Sequence, residues 1–102
     1  MCTEEFIEFV CGQLKPLGEV KARKMMGDYV IHVNGKCVIT ACDNLCYVQM
    51  NAAIESMMAD AETGCPYDGA KTRYILDIDR REHACKVVET LWEVLPFPKK
   101  RK

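Results

Sequence analysis

Two turn signals within residues 23–50 constrain the fold of this chain more than any other feature. Asn34-Gly35 and Asp43-Asn44 separate three short runs of β-prone residues, at 29–33, 37–42 and 45–50. Strands that are joined by such short turns must be antiparallel. The stretch therefore predicts a meander of antiparallel strands.

Helices are predicted on both sides of this meander, over residues 3–15, 51–62 and 80–95. Thr3 is the expected N-cap of the first helix, and Asp79 with Glu82 forms a capping-box arrangement before the last one. Each segment has apolar residues at helical spacing. The three apolar stripes are Phe6/Val10/Leu14, Ile54/Met57/Met58 and Val87/Leu91/Trp92.

Another strand is predicted at residues 72–78, after a glycine- and proline-containing loop at 62–71. The order is then helix, three or four strands, helix, one or two strands, helix. Amphipathic helices can cover one face of an antiparallel sheet. The sequence thus predicts an α+β two-layer sandwich with three helices and an antiparallel meander sheet of four to six strands. Residues 1–98 form one domain, and residues 99–102 form a basic tail.

The charge distribution argues against strong binding to nucleic acid. The chain has a formal net charge of −1, and residues 99–102 contribute four positive charges, which leaves −5 for residues 1–98. Because DNA binding depends on many phosphate contacts, we expect direct binding to DNA to be weak at most. No apolar run approaches the roughly 18 residues of a membrane span, and the acidic N-terminus does not resemble a signal peptide. We expect a cytoplasmic protein without membrane contact.

The seven cysteines are an odd number, which is atypical of a secreted disulfide scaffold. Free cysteines usually pack as small apolar residues. Cys42 and Cys46 are nevertheless the best candidates for a metal site. They share a sheet face if a three-residue turn joins their strands, and lie on opposite faces if the turn has two residues. Since core packing explains the pair as well, neither a metal nor another cofactor is expected.

An enzymatic site would need a nucleophile, a base and an orienting group close together. The chain has two histidines, His32 and His83. His83 falls in the first turn of the predicted last helix, and we expect it to be solvated there. No motif in the sequence combines these groups. We therefore expect no enzyme activity.

The order of motifs from residue 23 to residue 50 resembles a known family. An Arg23-Lys24-Met25-Met26-Gly27 segment is followed by Tyr29, by the Asn34-Gly35 turn, by Asp43-Asn44 and by the strand of Tyr47. This order is similar to the N-terminal domain of the TfoX (Sxy) competence regulators. The resemblance implies an antiparallel α+β sandwich, the three-residue turn at 43–45, and a role in natural competence with a cyclic-AMP-responsive transcription activator. Those regulators have a second, C-terminal domain, so the chain is expected to be a stand-alone member.

Five residues match the family's motif and are the candidate interaction residues. They are Arg23, Lys24, Met25, Gly27 and Tyr29. A bend at Gly27 would turn Arg23 and Lys24 away from the sheet, where they could bind a phosphate or an acidic partner. Alternatively, Gly27 is a structural turn and the two cations are solvated.

The resemblance implies a non-enzymatic protein-interaction module that acts in bacterial transcription regulation, and the acidic charge of residues 1–98 favours action through a protein partner. The alternative is a cytoplasmic domain that responds to a small ligand, a metal or redox state through its cysteines.

Overall fold

The computed structural model describes residues 2–25, 28–65, 69 and 71–95. The described residues form two α-helices. Helix α1 (Glu4–Leu14) precedes all the strands in the sequence, and helix α2 (Arg81–Val94) follows them. Two short 3-10 helices, Lys15–Leu17 and Ala52–Ile54, lie between them. The strands are β1 (Val20–Met25), β2 (Asp28–Val33), β3 (Lys36–Cys42), β4 (Leu45–Val48), β5 (Thr63–Gly64) and β6 (Arg73–Leu76).

The strands form one six-stranded sheet in the order β1-β2-β3-β4-β6-β5, and every neighbouring pair is antiparallel. Strands β1 to β4 are the meander, and Asn34 and Gly35 form its central turn with φ values of 47° and 87°. These positive values are typical of the type I′ turn that Asn-Gly favours. The predicted α+β class and the antiparallel sheet are confirmed.

The core lies on one face of the sheet, which we call the helix-covered face. Ile31, Val48 and Leu76 of this face are buried in the same cluster as Val10 of α1 and Leu91 of α2. Side chains alternate along a strand, so the neighbours of these residues point to the other face, here called the open face. None of the described helices is long and apolar enough to cross a membrane.

The predicted helix at 51–62 is wrong. Asn51 does cap the segment, since its Oδ1 atom accepts a hydrogen bond from Ala53 N at 2.9 Å. The helix ends after the single 3-10 turn Ala52–Ile54, and residues 55–60 form further turns. These turns already bury Ile54 and Met58, which are 0% and 2% exposed. An isolated helix of this length is only marginally stable in water. A series of turns that buries the same apolar residues can therefore replace it.

The two terminal helices match the prediction closely, but their caps differ. Thr3 caps α1 as expected, because its Oγ1 atom accepts a hydrogen bond from Phe6 N at 3.1 Å. The predicted Asp79 cap is wrong: Arg80 is the N-cap residue of α2 and makes no side-chain cap bond. Asp79 instead belongs to a preceding turn, in which its N–H donates to Asp77 Oδ1 at 3.3 Å.

Candidate interaction surface

Strand β1 forms one edge of the sheet, and it carries three of the five candidate residues. Its partner on one side is β2, and no described residue pairs with its other side. The side chains of residues 21–25 are all exposed, and Met25 retains 54% of its accessible surface. The sequence did not predict this strand, because an exposed edge strand lacks the apolar alternation that marks buried ones.

Arg23 and Lys24 lie on opposite faces of β1. Arg23 is paired with Val30 on the open face, and Lys24 is paired with Tyr29 on the helix-covered face. Both cations therefore belong to a paired strand. The bend predicted at Gly27, which would turn them away from the sheet, lies outside the described residues. Their side chains cannot converge on one phosphate group from opposite faces. They can instead flank a partner that runs along the edge.

Tyr29 and Gly27 have different relations to this surface. Tyr29 is half-buried and packs against the core cluster, and it is the residue on β2 that pairs with Lys24. Gly27 and the predicted basic tail at 99–102 lie outside the described residues.

A shallow depression on the open face adds two basic residues that the sequence interpretation missed. Lys21, Arg23 and His32 line it, together with Glu19 and Gly35, and it has a volume of about 370 Å³. Lys21 is paired with His32 across the two strands, which brings these side chains together. The i, i+2 spacing of Lys21 and Arg23 could have identified the cationic face once residues 20–25 were recognised as a strand.

The acidic group at this depression does not neutralise it. Glu19 Oε1 lies 3.8 Å from Lys21 Nζ, and both side chains are largely exposed. An exposed ion pair at this distance contributes little and is screened by salt. Lys21 and Arg23 together outnumber Glu19, so the depression keeps a net positive charge.

The turn between β2 and β3 holds the start of β1 in place. Asn34 Nδ2 donates to Leu17 O at 3.0 Å, and its Oδ1 atom accepts from Glu19 N at 2.9 Å. The backbone N–H of Asn34 also donates to Glu19 O at 2.8 Å. Because these bonds join residues that directly precede β1, the edge strand begins at a defined position beside β2.

The same turn is linked to the end of α2 through Trp92 and Lys36. Trp92 is half-buried, and its Nε1–H donates to Val33 O at 2.7 Å. Lys36 is buried, with its Nζ atom 3.8 Å from the centre of the Trp92 ring and 2.8 Å from Trp92 O. The ammonium group thus forms a cation–π contact and donates to a carbonyl near the helix C-terminus, where positive charge is favoured.

The two candidate metal ligands do not meet. Asp43 and Asn44 form a two-residue turn with φ values of 51° and 59°. Cys42 therefore pairs with Leu45, and Cys46 pairs with Ala41, so that the two cysteines lie on opposite faces. The three-residue turn that the resemblance implies is wrong, because this pair of left-handed residues closes the hairpin by itself.

Most of the cysteines lie in environments that are unsuited to thiol chemistry. Burial raises the pKa of Cys42 to about 11 and the pKa of Cys46 to about 12. Burial also raises the pKa of the thiols of Cys2, Cys11 and Cys85. A protonated thiol is a poor nucleophile and a poor metal ligand. In the part of the chain that the structure describes, no three His, Cys, Asp or Glu residues group together as a metal site.

A larger cleft of about 540 Å³ lies between β6, residues 56–62 and the start of α2. Phe6 and Met57 contribute apolar surface to it, and His83 lies beside its acidic residues. His83 is half-buried, and its Nε2 atom is 3.0 Å from Met57 O. Its buried Nδ1 atom has no hydrogen-bond partner among the described residues. The prediction that His83 is simply solvated at the helix start is therefore wrong. The acidic residues of the cleft are Asp60, Glu62, Asp77 and Asp79.

Comparison with known proteins identifies a relative but not a family. No protein-family model matches the sequence. The chain is 29% identical over 99 residues to the "uncharacterized 12.7 kDa protein in trpE 5′ region" of Spirochaeta aurantia. The matched region covers 95% of this chain and 86% of that protein, so the similarity extends over nearly the whole of both.

Proposed function

We propose that this protein is a non-enzymatic interaction module that acts in bacterial transcription regulation through a protein partner. The role follows the resemblance to the N-terminal domain of the TfoX regulators. The protein works in the cytoplasm, and its contact with DNA is indirect.

The observation that carries the proposal is the exposed basic edge strand. Lys21, Arg23 and Lys24 lie on β1 with their side chains exposed, next to an exposed Met25. Arg and Met, both present here, are enriched at protein–protein interfaces relative to the rest of the surface. Three of the five motif residues, Arg23, Lys24 and Met25, thus lie on accessible surface rather than in the core.

Charge supports a protein partner over duplex DNA. Residues 1–98 sum to −5, and the cations of β1 are too few to offset that charge by themselves. A protein that holds DNA through many phosphates usually has a basic stripe across one face. An acidic protein partner needs only the local charge of β1.

A pull-down from the native cell tests the proposal. The protein is compared with a double variant, Arg23→Glu with Lys24→Glu, and with a control, Lys71→Glu with Lys86→Glu, which makes the same change of net charge at exposed positions away from β1. We expect a transcription-associated protein to be captured by the unchanged chain and by the control, and lost from the β1 variant. Tight, sequence-specific binding of the isolated domain to DNA at physiological salt would contradict the proposal.

The cleft beside His83 favours a second candidate function, the binding of a small ligand. Its volume of about 540 Å³ falls within the usual range of ligand pockets, roughly 300–1,000 Å³. The unpartnered Nδ1 atom of His83 offers one polar contact. The metal- and redox-responsive forms of this alternative are weaker, because burial raises the pKa of most of the thiols.

Native mass spectrometry of protein purified without chelators separates the two functions. A co-purified small molecule that is lost in His83→Phe would favour the ligand-binding function. A bound zinc or iron that is lost when Cys42 and Cys46 are changed to serine would favour a metal-responsive domain. If the protein has the mass of the chain alone, and the pull-down captures the partner, the results support the interaction module.

A further inference from the structure

We infer that β1 binds an extended, acidic segment of the partner protein as an additional antiparallel or parallel strand of the sheet. This inference rests on the proposed function and specifies the kind of partner that it requires. It concerns the backbone of β1 as much as its side chains.

The edge of the sheet at β1 has the form that strand addition needs. An edge strand presents alternate backbone N–H and C=O groups to its outer side, where another extended chain can pair with them. Strand β1 is six residues long, and no described residue occupies its outer side. The opposite edge, β5, consists of two residues only, which is too short for a stable pairing.

Charge along β1 disfavours a second copy of this chain as the occupant. If two copies of β1 paired antiparallel with full overlap, Lys21 would lie opposite Lys24. A shift by one residue would place Lys21 opposite Arg23, or Arg23 opposite its own copy. Like charges directly opposite each other destabilise a strand pair. The edge therefore resists self-association while it remains open to an acidic strand.

An acidic strand would find cations on both of its faces. Arg23 and Lys21 lie on the open face, and Lys24 lies on the helix-covered face. On the open face, the depression lined by Lys21, Arg23 and His32 offers room for one carboxylate side chain beside the strand edge. Arg and Lys pair with carboxylates by charge-assisted hydrogen bonds, which sets the register of the added strand. Backbone pairing fixes the orientation of the added strand, and the cations favour acidic residues in it.

The inference is tested with a short synthetic peptide that alternates Glu with Val or Thr, blocked at both ends, and titrated into the isotope-labelled protein. Two control peptides have Lys in place of Glu, or have alternate backbone amides N-methylated. We expect amide chemical-shift changes in β1 and at His32 with the acidic peptide, and slowed hydrogen exchange of outward amides of β1. The two control peptides should cause neither effect.

Charge reversal supplies the matched protein control. Arg23→Glu with Lys24→Glu should weaken the peptide about tenfold or more, whereas Lys71→Glu with Lys86→Glu should leave its affinity within about twofold. No shift in β1 at a millimolar excess of the acidic peptide would overturn the inference. Equal binding of the N-methylated peptide would also overturn it, because attraction by charge alone would then explain the result.

The outcomes keep this inference apart from the proposed function. Loss of a transcription-associated partner in the β1 variant, without peptide pairing, would retain the interaction module and reject strand addition. Peptide pairing without any such partner would retain strand addition and reject the role in transcription.

Discussion

The β2–β3 turn and the outer edge of β1 belong to the same meander, but their polar groups are used in opposite ways. At the turn, the Asn34 side chain accepts a hydrogen bond from Glu19 N. Trp92 donates to Val33 O, and Lys36 lies against the Trp92 ring. At the edge, the cationic side chains are exposed and the backbone has no described strand on its outer side.

This difference separates the residues that maintain the fold from those that are available for binding. A cation such as Lys36, buried against an aromatic ring and a helix carbonyl, stabilises tertiary structure. Cations such as Arg23 and Lys24, exposed on an edge strand, contribute little to stability. Residue type alone does not distinguish the two groups. Changes at the turn should affect unfolding, and changes at the edge should affect binding.

The largest effect is expected for Trp92→Ala. It removes a half-buried ring and the donor to Val33 O, and we expect a loss of about 3 kcal/mol in the free energy of unfolding. Trp92→Phe is the matched control. It keeps an aromatic ring but not the N–H donor, so it should cost about 1 kcal/mol. Urea denaturation measures both values, and equal losses would show that ring packing contributes nothing beyond the hydrogen bond.

Gly18→Ala should have the next largest effect. Gly18 has a φ of 133°, and an added Cβ would lie 2.5 Å from Asn34 Oδ1, which accepts from Glu19 N. We expect a cost of about 2 kcal/mol from backbone strain and displacement of Asn34. Gly12→Ala is the control, because it lies in α1 with nothing within 4 Å of its added Cβ. That change should stabilise the protein by up to about 1 kcal/mol. Destabilisation by Gly12→Ala as large as that of Gly18→Ala would contradict this account of the turn.

The buried thiols should make the folded state less stable at alkaline pH, with no such loss at neutral pH. Burial raises the pKa of Cys46 to about 12, above the 9.0 of an ordinary cysteine. The folded protein then retains a proton that the unfolded chain loses, so this stabilisation is complete below about pH 9 and is lost as pH rises towards 12.

The urea midpoint should therefore fall between about pH 8 and about pH 10.5, and Cys46→Ala should reduce that fall. Cys65→Ala is the control, because Cys65 is exposed. An unchanged pH dependence in Cys46→Ala would rule out a contribution from this thiol.

The smallest effect on stability is expected at the edge of the sheet. Arg23→Glu with Lys24→Glu should change the free energy of unfolding by no more than about 0.5 kcal/mol, because both side chains are exposed. The urea midpoint checks this on the same protein that is used for the binding experiments. A large loss of stability would mean that β1 belongs with the β2–β3 turn as part of the structural core.

The sequence by itself determined the features that depend on neighbouring residues. Asn34-Gly35 predicted the central turn, and Thr3 predicted the start of α1, because turn and cap preferences act over a few residues. The apolar stripes at Val10/Leu14 and Val87/Leu91 predicted the two α-helices, and alternation at residues 29–33 predicted a strand. The antiparallel α+β class followed from these elements, since short turns force neighbouring strands to run in opposite directions.

Only the tertiary structure decided the features that depend on distant residues. The segment at 51–62 has a helical apolar pattern, yet turns bury Ile54 and Met58 against the core without a helix. Residues 20–25 form a strand because β2 supplies its hydrogen-bond partners, and not because of any apolar alternation of their own. The positions of Arg23 and Lys24 on opposite faces of that strand follow from this pairing. Backbone pairing and core burial outweigh local propensity, and both depend on residues that are far apart in the chain.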